Sequence, residues 1–141
     1  MANLRLYKSE KLCSKIEIER LYAQGTSVIA YPLRAVWMVV DQRSGNVERW
    51  DSPARFLISI PKKRIRHAVD RVLLRRRTRE SYRLNRQLLY PTAKDAGVTV
   101  LIGFNWLAQH TSDYATIERS MQQLLEKIAT AVSNCQSPSE P

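Results

Sequence analysis

A long, strongly basic segment without helix breakers most constrains how this chain can fold. Residues 62–86 hold eleven Lys or Arg against two acids, Asp70 and Glu80, and contain no Pro or Gly. Arg and Leu favour helices, so the segment predicts one helix that runs to about Tyr90. Its like charges at four-residue spacing weaken an isolated helix, which a merely soluble surface does not need. Because guanidinium groups match phosphate oxygens in pairs, the segment predicts a surface for a polyanion.

The helical period divides this segment into faces. At about 100° per residue, a set of apolar side chains falls in one arc, and we expect that arc to pack on the core. The set is Ile65, Ala68, Val69, Val72 and Leu73. Arg76 projects toward the same arc, so we expect its aliphatic stem to be buried at the core edge and its guanidinium to reach solvent.

Length and charge limit the class of protein. The 141 residues predict a single domain over residues 1–132, followed by a polar, proline-containing tail at 133–141 that we expect to be disordered. The net charge is +10, and the basic segment alone carries +9. Charge so concentrated indicates a docking surface. Cys13 and Cys135 have no spacing typical of a disulfide framework or a zinc site. No apolar run could span a membrane, and we expect a cytoplasmic protein.

Hydrophobic patterning predicts an α+β fold. We expect a helix before residue 25, two strands, the basic helix, a buried strand and a final helix, in the order α-β-β-α-β-α. Outside the basic helix, the expected bounds are 9–24, 27–41, 55–60, 98–104 and 113–132. In the last helix, Asp113 or Ser112 is the expected cap, and an apolar stripe is expected at helical spacing: Tyr114, Ile117, Met121, Leu124, Leu125 and Ile128. The first two strands are expected to be antiparallel, joined by a hairpin-like connection. Pro32 predicts an edge or bulge in the first of them, and an additional strand within residues 27–50 is left open. This order is typical of a two-layer sandwich.

The sequence contains no arrangement typical of an enzyme's own active site. His67 and His110 are isolated, and the carboxylates are too scattered to form the pair that two-metal nucleases require. There is no phosphate-binding glycine motif. We therefore expect no catalytic residue and no metal site in this chain, and expect another molecule to supply any chemistry.

The basic segment also carries a longer motif. Ser59-Ile60-Pro61-Lys62-Lys63 resembles a strand end that reads S-x-S-K-K, and the helix follows the pattern A-V-x-R-N-R-x-K-R-x-x-R-E-x-x-R. The matching residues are Ala68, Val69, Arg71, Arg75, Arg76, Arg79, Glu80 and Arg83. Together with an acid-rich first helix before Gly25, they resemble the protein subunit of bacterial ribonuclease P over most of residues 8–132.

This sequence departs from the family pattern at two places. Val72 and Leu73 replace the Asn and the second Arg of the R-N-R core, and Pro61 replaces a usual Ser. The extra basic residues Arg64, Arg66 and Arg77 are expected to compensate for the lost polar groups by adding positive charge.

The resemblance implies a fold and a mechanism. The implied fold is a sandwich like the second domain of ribosomal protein S5, with a left-handed β-α-β crossover through the basic helix. The implied chemistry belongs to a catalytic RNA, with Mg²⁺ held by that RNA and the substrate, and it removes the 5′ leader of precursor tRNA. The implied partners are the catalytic RNA and precursor tRNA, with no protein partner required. The expected RNA-binding residues are Lys62, Lys63, Arg64, Arg66, Arg71, Arg75, Arg76, Arg79 and Arg83.

The resemblance also implies a cleft for the single-stranded leader between the first helix and the sheet. By position, the leader-binding candidates are Ile18, Tyr22, Arg34, Val36 and Trp37. Tyr22 and Trp37 are expected to stack on bases, and Arg34 could reach a phosphate. The alternative for both aromatic residues is that they fill the core, and Ile18 is expected to pack rather than bind.

Three other functions remain open from composition alone. A generic RNA-binding or ribosomal-type module, without a role in tRNA processing, could use the same helix. A DNA-binding regulator normally places its recognition helix in a helix-turn-helix, whereas this helix follows a strand. A nuclease that works alone is disfavoured by the scattered carboxylates.

Overall fold

A computed structural model describes residues 15–41 and 54–136. The part of the predicted first helix at residues 9–14 lies outside them, as does the connection at 42–53. The elements in chain order are α1 (Lys15–Gln24), β1 (Thr26–Ala30), β2 (Leu33–Asp41), β3 (Ala54–Ser59), α2 (Ala68–Asn85), α3 (Tyr90–Ala96), β4 (Val98–Trp106) and α4 (Tyr114–Gln136). A short 3-10 turn, Arg86–Leu88, joins α2 to α3. The α+β class is confirmed, and the strand expected at 27–41 is divided into two at the cis Tyr31–Pro32 bond.

The four strands form one sheet in the order β1-β2-β4-β3. β2 pairs antiparallel with β1 on one side and with β4 on the other, whereas β3 pairs in parallel with β4. β2 and β3 therefore run antiparallel to each other, as predicted, but the predicted hairpin between them is wrong, because β4 lies between them. Parallel neighbours need a crossover, and here α2 and α3 supply it. This is the expected β-α-β connection through the basic helix, and its handedness stays a prediction.

The sheet is covered on both faces. One face packs under α2, α3 and α4 and forms the main core, which includes Phe56, Ile102, Phe104 and Trp106. The sheet and these three helices form the two predicted layers. The opposite face carries a smaller cluster of Leu21, Val36 and Leu101 beneath α1.

Two features fix helix α1 on this second face: the close contact at its C-terminal end and an ion pair near its start. The backbone N–H of Gly25 donates to the Leu21 carbonyl at 2.7 Å and closes the last turn. A Cβ at residue 25 would lie 2.5 Å from that carbonyl oxygen and 2.7 Å from Val36 Cγ1, so only glycine allows this close approach to β2. Nearer the start of the helix, the Glu17 carboxylate lies 3.6 Å from the guanidinium of Arg55 on β3.

Helix α2 begins later than predicted and buries a different face. Its first residue is Ala68, and before it the N–H groups of Arg64 and Ile65 both donate to the Pro61 carbonyl in a turn. The predicted apolar arc is wrong for the helical part, because Val69 is 78% exposed and Val72 is 51% exposed. The face toward the core consists of Leu74, Thr78, Ser81 and Tyr82.

Two polar residues on the buried face of α2 explain this difference. Thr78 Oγ1 donates to the Leu74 carbonyl and Ser81 Oγ to the Thr78 carbonyl, both at 2.8 Å. Their hydroxyls are thus satisfied within the helix and can be buried at little cost. Tyr82 completes the face by stacking on Phe56, with 4.2 Å between the ring centroids.

The final helix, α4, agrees closely with the prediction from the sequence. Asp113 caps it, since Asp113 Oδ1 accepts from the Thr116 N–H at 3.0 Å. Hydrogen bonds from the Thr116 side chain and backbone lower the pKa of the Asp113 carboxyl. The predicted stripe is confirmed by side chains that are fully buried: Ile117, Met121, Leu124, Leu125 and Ile128. The helix extends to Gln136, so the first four residues of the predicted tail are helical. The domain limits stay a prediction. Within the described ranges, no helix is long and apolar enough to cross a membrane.

The corrected face of α2 predicts unequal effects of two similar truncations. Leu74→Ala should lower the free energy of unfolding by about 2–5 kcal/mol, because a fully buried leucine leaves a cavity. Val72→Ala, on the exposed side of the same helix, should change it by less than about 0.5 kcal/mol. Urea denaturation of both variants measures this, and a larger loss in Val72→Ala would restore the predicted apolar arc.

Candidate RNA-binding surfaces

Six of the predicted RNA-binding residues form an exposed basic surface. Among the described residues, the side chains of these six have no hydrogen bond or ion pair, so their cationic groups are available to a ligand. This set, called the basic surface below, consists of Lys62, Lys63, Arg66, Arg75, Arg76 and Arg79. The two lysines and Arg66 lie on the loop before α2, and the other three lie on the helix itself. Arg76 is exposed, so the expectation that its stem is buried at the core edge is wrong.

Other arginines of the same segment are partly buried and hold backbone carbonyls. The Arg71 guanidinium donates to the carbonyls of Ile65 and Arg66, each at 2.9 Å. Arg64 donates to the Leu107 carbonyl at 3.0 Å, and Arg77 to the Ser112 carbonyl at 2.6 Å. These contacts fix the loop before α2 and the segment between β4 and α4, which gives the basic surface a rigid frame.

Two further arginines have partners in the protein. Arg83 forms a bidentate pair with Glu80, at 3.0 Å from Nε and 2.6 Å from Nη2, and this hydrogen bonding lowers the pKa of the Glu80 carboxyl. Arg86 is buried, with its guanidinium carbon 5.7 Å from the centroid of the Tyr90 ring. Of the predicted RNA-binding residues, Arg64, Arg71 and Arg83 therefore have contacts within the protein that the six of the basic surface lack.

A second polar group lies beside α1, on the sheet face opposite the main core. Tyr22 is 42% exposed and its hydroxyl donates to Asn105 Oδ1 at 2.9 Å. Arg34 lies near this phenol, and its Nε donates to Ser27 Oγ at 2.9 Å. We call Tyr22, Arg34 and Asn105, together with Gly103 below the phenol, the cleft.

Strand register connects the cleft to the basic surface. Ile29, Arg34, Asn105 and Ser59 are direct partners across β1, β2, β4 and β3, so their side chains point to the same face. At about 4.8 Å per strand, this row spans about 14 Å. Ser59 is the last residue of β3, and the chain reaches Lys62 three residues later. The cleft and the loop of the basic surface therefore lie at the same end of the sheet.

The structure separates the five leader-binding candidates. Tyr22 and Arg34 come together in the cleft. Trp37 is only 6% exposed and belongs to the main core on the other face, so the prediction that it faces the leader is wrong. Val36 is on the cleft side but is buried beneath α1, and Ile18 packs against the same cluster, as expected for that residue.

The pKa of the Tyr22 phenol shows the balance of forces in the cleft. Burial against the sheet raises this pKa, whereas the positive charge of Arg34 lowers it by less. The neutral phenol is thus the form that the cleft stabilises.

Asn105 and Gly103 were missed by the sequence reasoning. Both belong to β4. The only local signal in the sequence is that they interrupt the apolar residues on one face of this strand, Asn105 with a polar side chain and Gly103 with no side chain. Their position beside Tyr22 depends on strand pairing, which the sequence does not specify. Within residues 15–41 and 54–136, no group of three His, Cys, Asp or Glu side chains could hold a metal ion.

Comparison with known proteins agrees with this geometry. A protein-family model described as ribonuclease P matches residues 6–129. Two ribonuclease P protein components from strains of Porphyromonas gingivalis are each 36% identical; one alignment covers 91% of this chain and 89% of that protein, the other 88% and 86%. The ribonuclease P protein of Staphylococcus aureus has a similar fold, with a TM-score of 0.59 at 20% identity over 86% of this chain and 96% of that one.

The chain belongs to the ribonuclease P protein family. It is accordingly part of a ribonucleoprotein endoribonuclease, associates with the RNA of that enzyme and has a role in tRNA processing. This assignment decides against the generic RNA-binding module and the DNA-binding regulator.

The partly buried phenol of Tyr22 predicts that this side chain of the ribonuclease P protein titrates at a higher pH than an ordinary tyrosine. Tyr22 should ionise at a pH above the ordinary tyrosine value of about 10, because its folded pKa is raised. Its contribution to stability is therefore complete below about pH 10 and is lost as the pH rises through the folded pKa. The absorbance titration of wild type minus that of Tyr22→Phe isolates this phenol. A step at or below the ordinary value would contradict the buried position.

Proposed function

We propose that the basic surface binds the RNA of ribonuclease P through its phosphates. Six cations without protein partners among the described residues support this, since each can replace a counterion of the RNA. The arginines that hold backbone carbonyls keep the loop and the helix in one arrangement, which reduces the ordering cost of binding. Val69 and Val72 lie exposed on the same helix and add an apolar strip between the charges.

We further propose that the cleft binds the 5′ leader of precursor tRNA. The observation that carries this proposal is the pairing of an exposed aromatic side chain, Tyr22, with hydrogen-bond donors on an open sheet face. Single-stranded RNA is bound by such stacking platforms and donors. The row from Ile29 to Ser59 runs toward Lys62 and Lys63, so an RNA strand bound in the cleft can continue onto the basic surface.

We propose that the RNA subunit, and not this chain, carries out the hydrolysis. The two surfaces offer cations, hydrogen-bond donors and an aromatic ring, which bind and orient RNA. When Mg²⁺ is bound by the RNA and the substrate, it would supply the activated water. We expect no other protein partner to be required, and the cytoplasmic location stays a prediction.

The basic surface predicts a specific salt dependence. Replacing one phosphate-contacting arginine, as in Arg75→Gln or Arg79→Gln, should reduce the slope of log affinity against log salt by about one unit. Lys94→Gln removes the same charge from an exposed position on α3 and should leave the slope unchanged. Filter binding to the matching RNA over a range of KCl concentrations measures both. Equal slopes for all four proteins would place the RNA elsewhere.

The complete proposal is tested by cleavage of a precursor tRNA at low Mg²⁺. The matching RNA subunit is assayed with and without this protein, and the protein alone is the control. We expect the protein to stimulate leader removal and to show no cleavage alone. The stimulation should be smaller for a precursor tRNA whose leader has only one or two nucleotides, because the cleft is then empty. Cleavage by the protein alone would overturn the proposed division of labour.

A further inference from the structure

The phenol ring of Tyr22 packs directly on Gly103 of β4. A Cβ built at Gly103 would lie 2.5 Å from Tyr22 Oη and 3.0 Å from Tyr22 Cζ. Any side chain at residue 103 would therefore occupy the space that the phenol fills. Gly103 is buried in the middle of β4, so the phenol rests on the sheet backbone at this point.

The conflict at residue 103 would be relieved by moving Tyr22 rather than the strand. The contacted atoms are the far end of a half-exposed side chain, which can rotate outward. The next nearest atom, Leu21 Cδ2, is at 3.4 Å, an ordinary contact distance. A methyl group at residue 103 thus displaces the phenol while leaving the packing of β4 nearly unchanged.

The seated phenol in turn fixes the amide of Asn105. Its hydroxyl donates to Oδ1, so Nδ2 points away from Tyr22, and no described residue accepts a hydrogen bond from Nδ2. The neighbouring Arg34 is also a donor. The N–H groups of Asn105 Nδ2 are therefore donors without a partner among the described residues, and they require an acceptor such as a base carbonyl or a phosphate oxygen.

We propose that Gly103 is a positioning residue and Asn105 a specificity-determining residue of the cleft. The missing side chain at 103 lets Tyr22 rest on β4, and Tyr22 holds Asn105 with its N–H groups toward an acceptor of the leader. This inference rests on the proposed binding of the leader in the cleft.

The first test compares Gly103→Ala, Tyr22→Ala and the double variant. The affinity of each for precursor tRNA with a full leader is divided by its affinity for mature tRNA, both with the RNA subunit present. Gly103→Ala should reduce this ratio by about 5-fold to 100-fold, the range expected for loss of one stacked base. The double variant should equal Tyr22→Ala, because the methyl group has nothing left to displace.

The double variant also controls for damage to the strand. If Gly103→Ala acted by distorting β4, it would cause a further loss in the Tyr22→Ala background, and that result would overturn the positioning role. An unchanged ratio in Gly103→Ala would overturn it as well. If the wild-type ratio is itself one, the leader proposal fails, and this outcome is distinct from failure of the present inference.

The second test identifies the acceptor. Asn105→Ala should weaken leader binding by about 2-fold to 10-fold, as for one lost hydrogen bond. Leaders with single abasic sites and leaders with single methylphosphonate linkages are then compared in wild type and Asn105→Ala. The modification whose penalty disappears in the variant marks a base or a phosphate as the acceptor. If every penalty persists, Asn105 does not contact the leader.

Discussion

The pairing of β4 with strands on both sides is the constraint on which the other features depend. β4 is antiparallel to β2 and parallel to β3, and nearly all of its residues are buried. The parallel partner requires the crossover that contains α2, and so places the basic helix on the main core face. The antiparallel partner brings Arg34 level with Asn105, under the side chain of Tyr22. Both candidate surfaces therefore follow from the position of one strand.

The arginines of the basic segment divide into two physical roles. Arg64, Arg71 and Arg77 donate to backbone carbonyls in the loop before α2 and in the segment between β4 and α4. Such contacts offset part of the repulsion that the segment's like charges create. The exposed cations keep that repulsion, and a polyanion would relieve it. A helix that is strained by its own charge in the free protein is thus suited to a phosphate-rich partner.

Local sequence predicted some elements well and failed where distant contacts decide. The stripe and the Asp113 cap of α4 follow from helical spacing alone, and the structure confirms them. The pairing of β3 depends on β4, some forty residues later, which no local pattern reveals. The buried face of α2 was assigned wrongly because Thr78 and Ser81 look polar in sequence, although their hydroxyls bond within the helix. Trp37 and Val36 differ by one residue, and only the register shows which of them faces α1.

The departure from the family motif acquires a physical meaning from the true orientation of α2. Because Val72 is exposed, the apolar replacement lies within the basic surface and not in the core. Valine offers no hydrogen-bond donor in place of the family Asn, and Leu73, which replaces the family Arg, removes a positive charge that other residues would have to supply. Of the three arginines expected to compensate, Arg64 and Arg77 donate to backbone carbonyls, whereas the guanidinium of Arg66 is exposed and has no partner among the described residues. Of these three arginines, Arg66 is therefore the one whose guanidinium is free to compensate. It lies just before α2, close to the two lysines that follow β3.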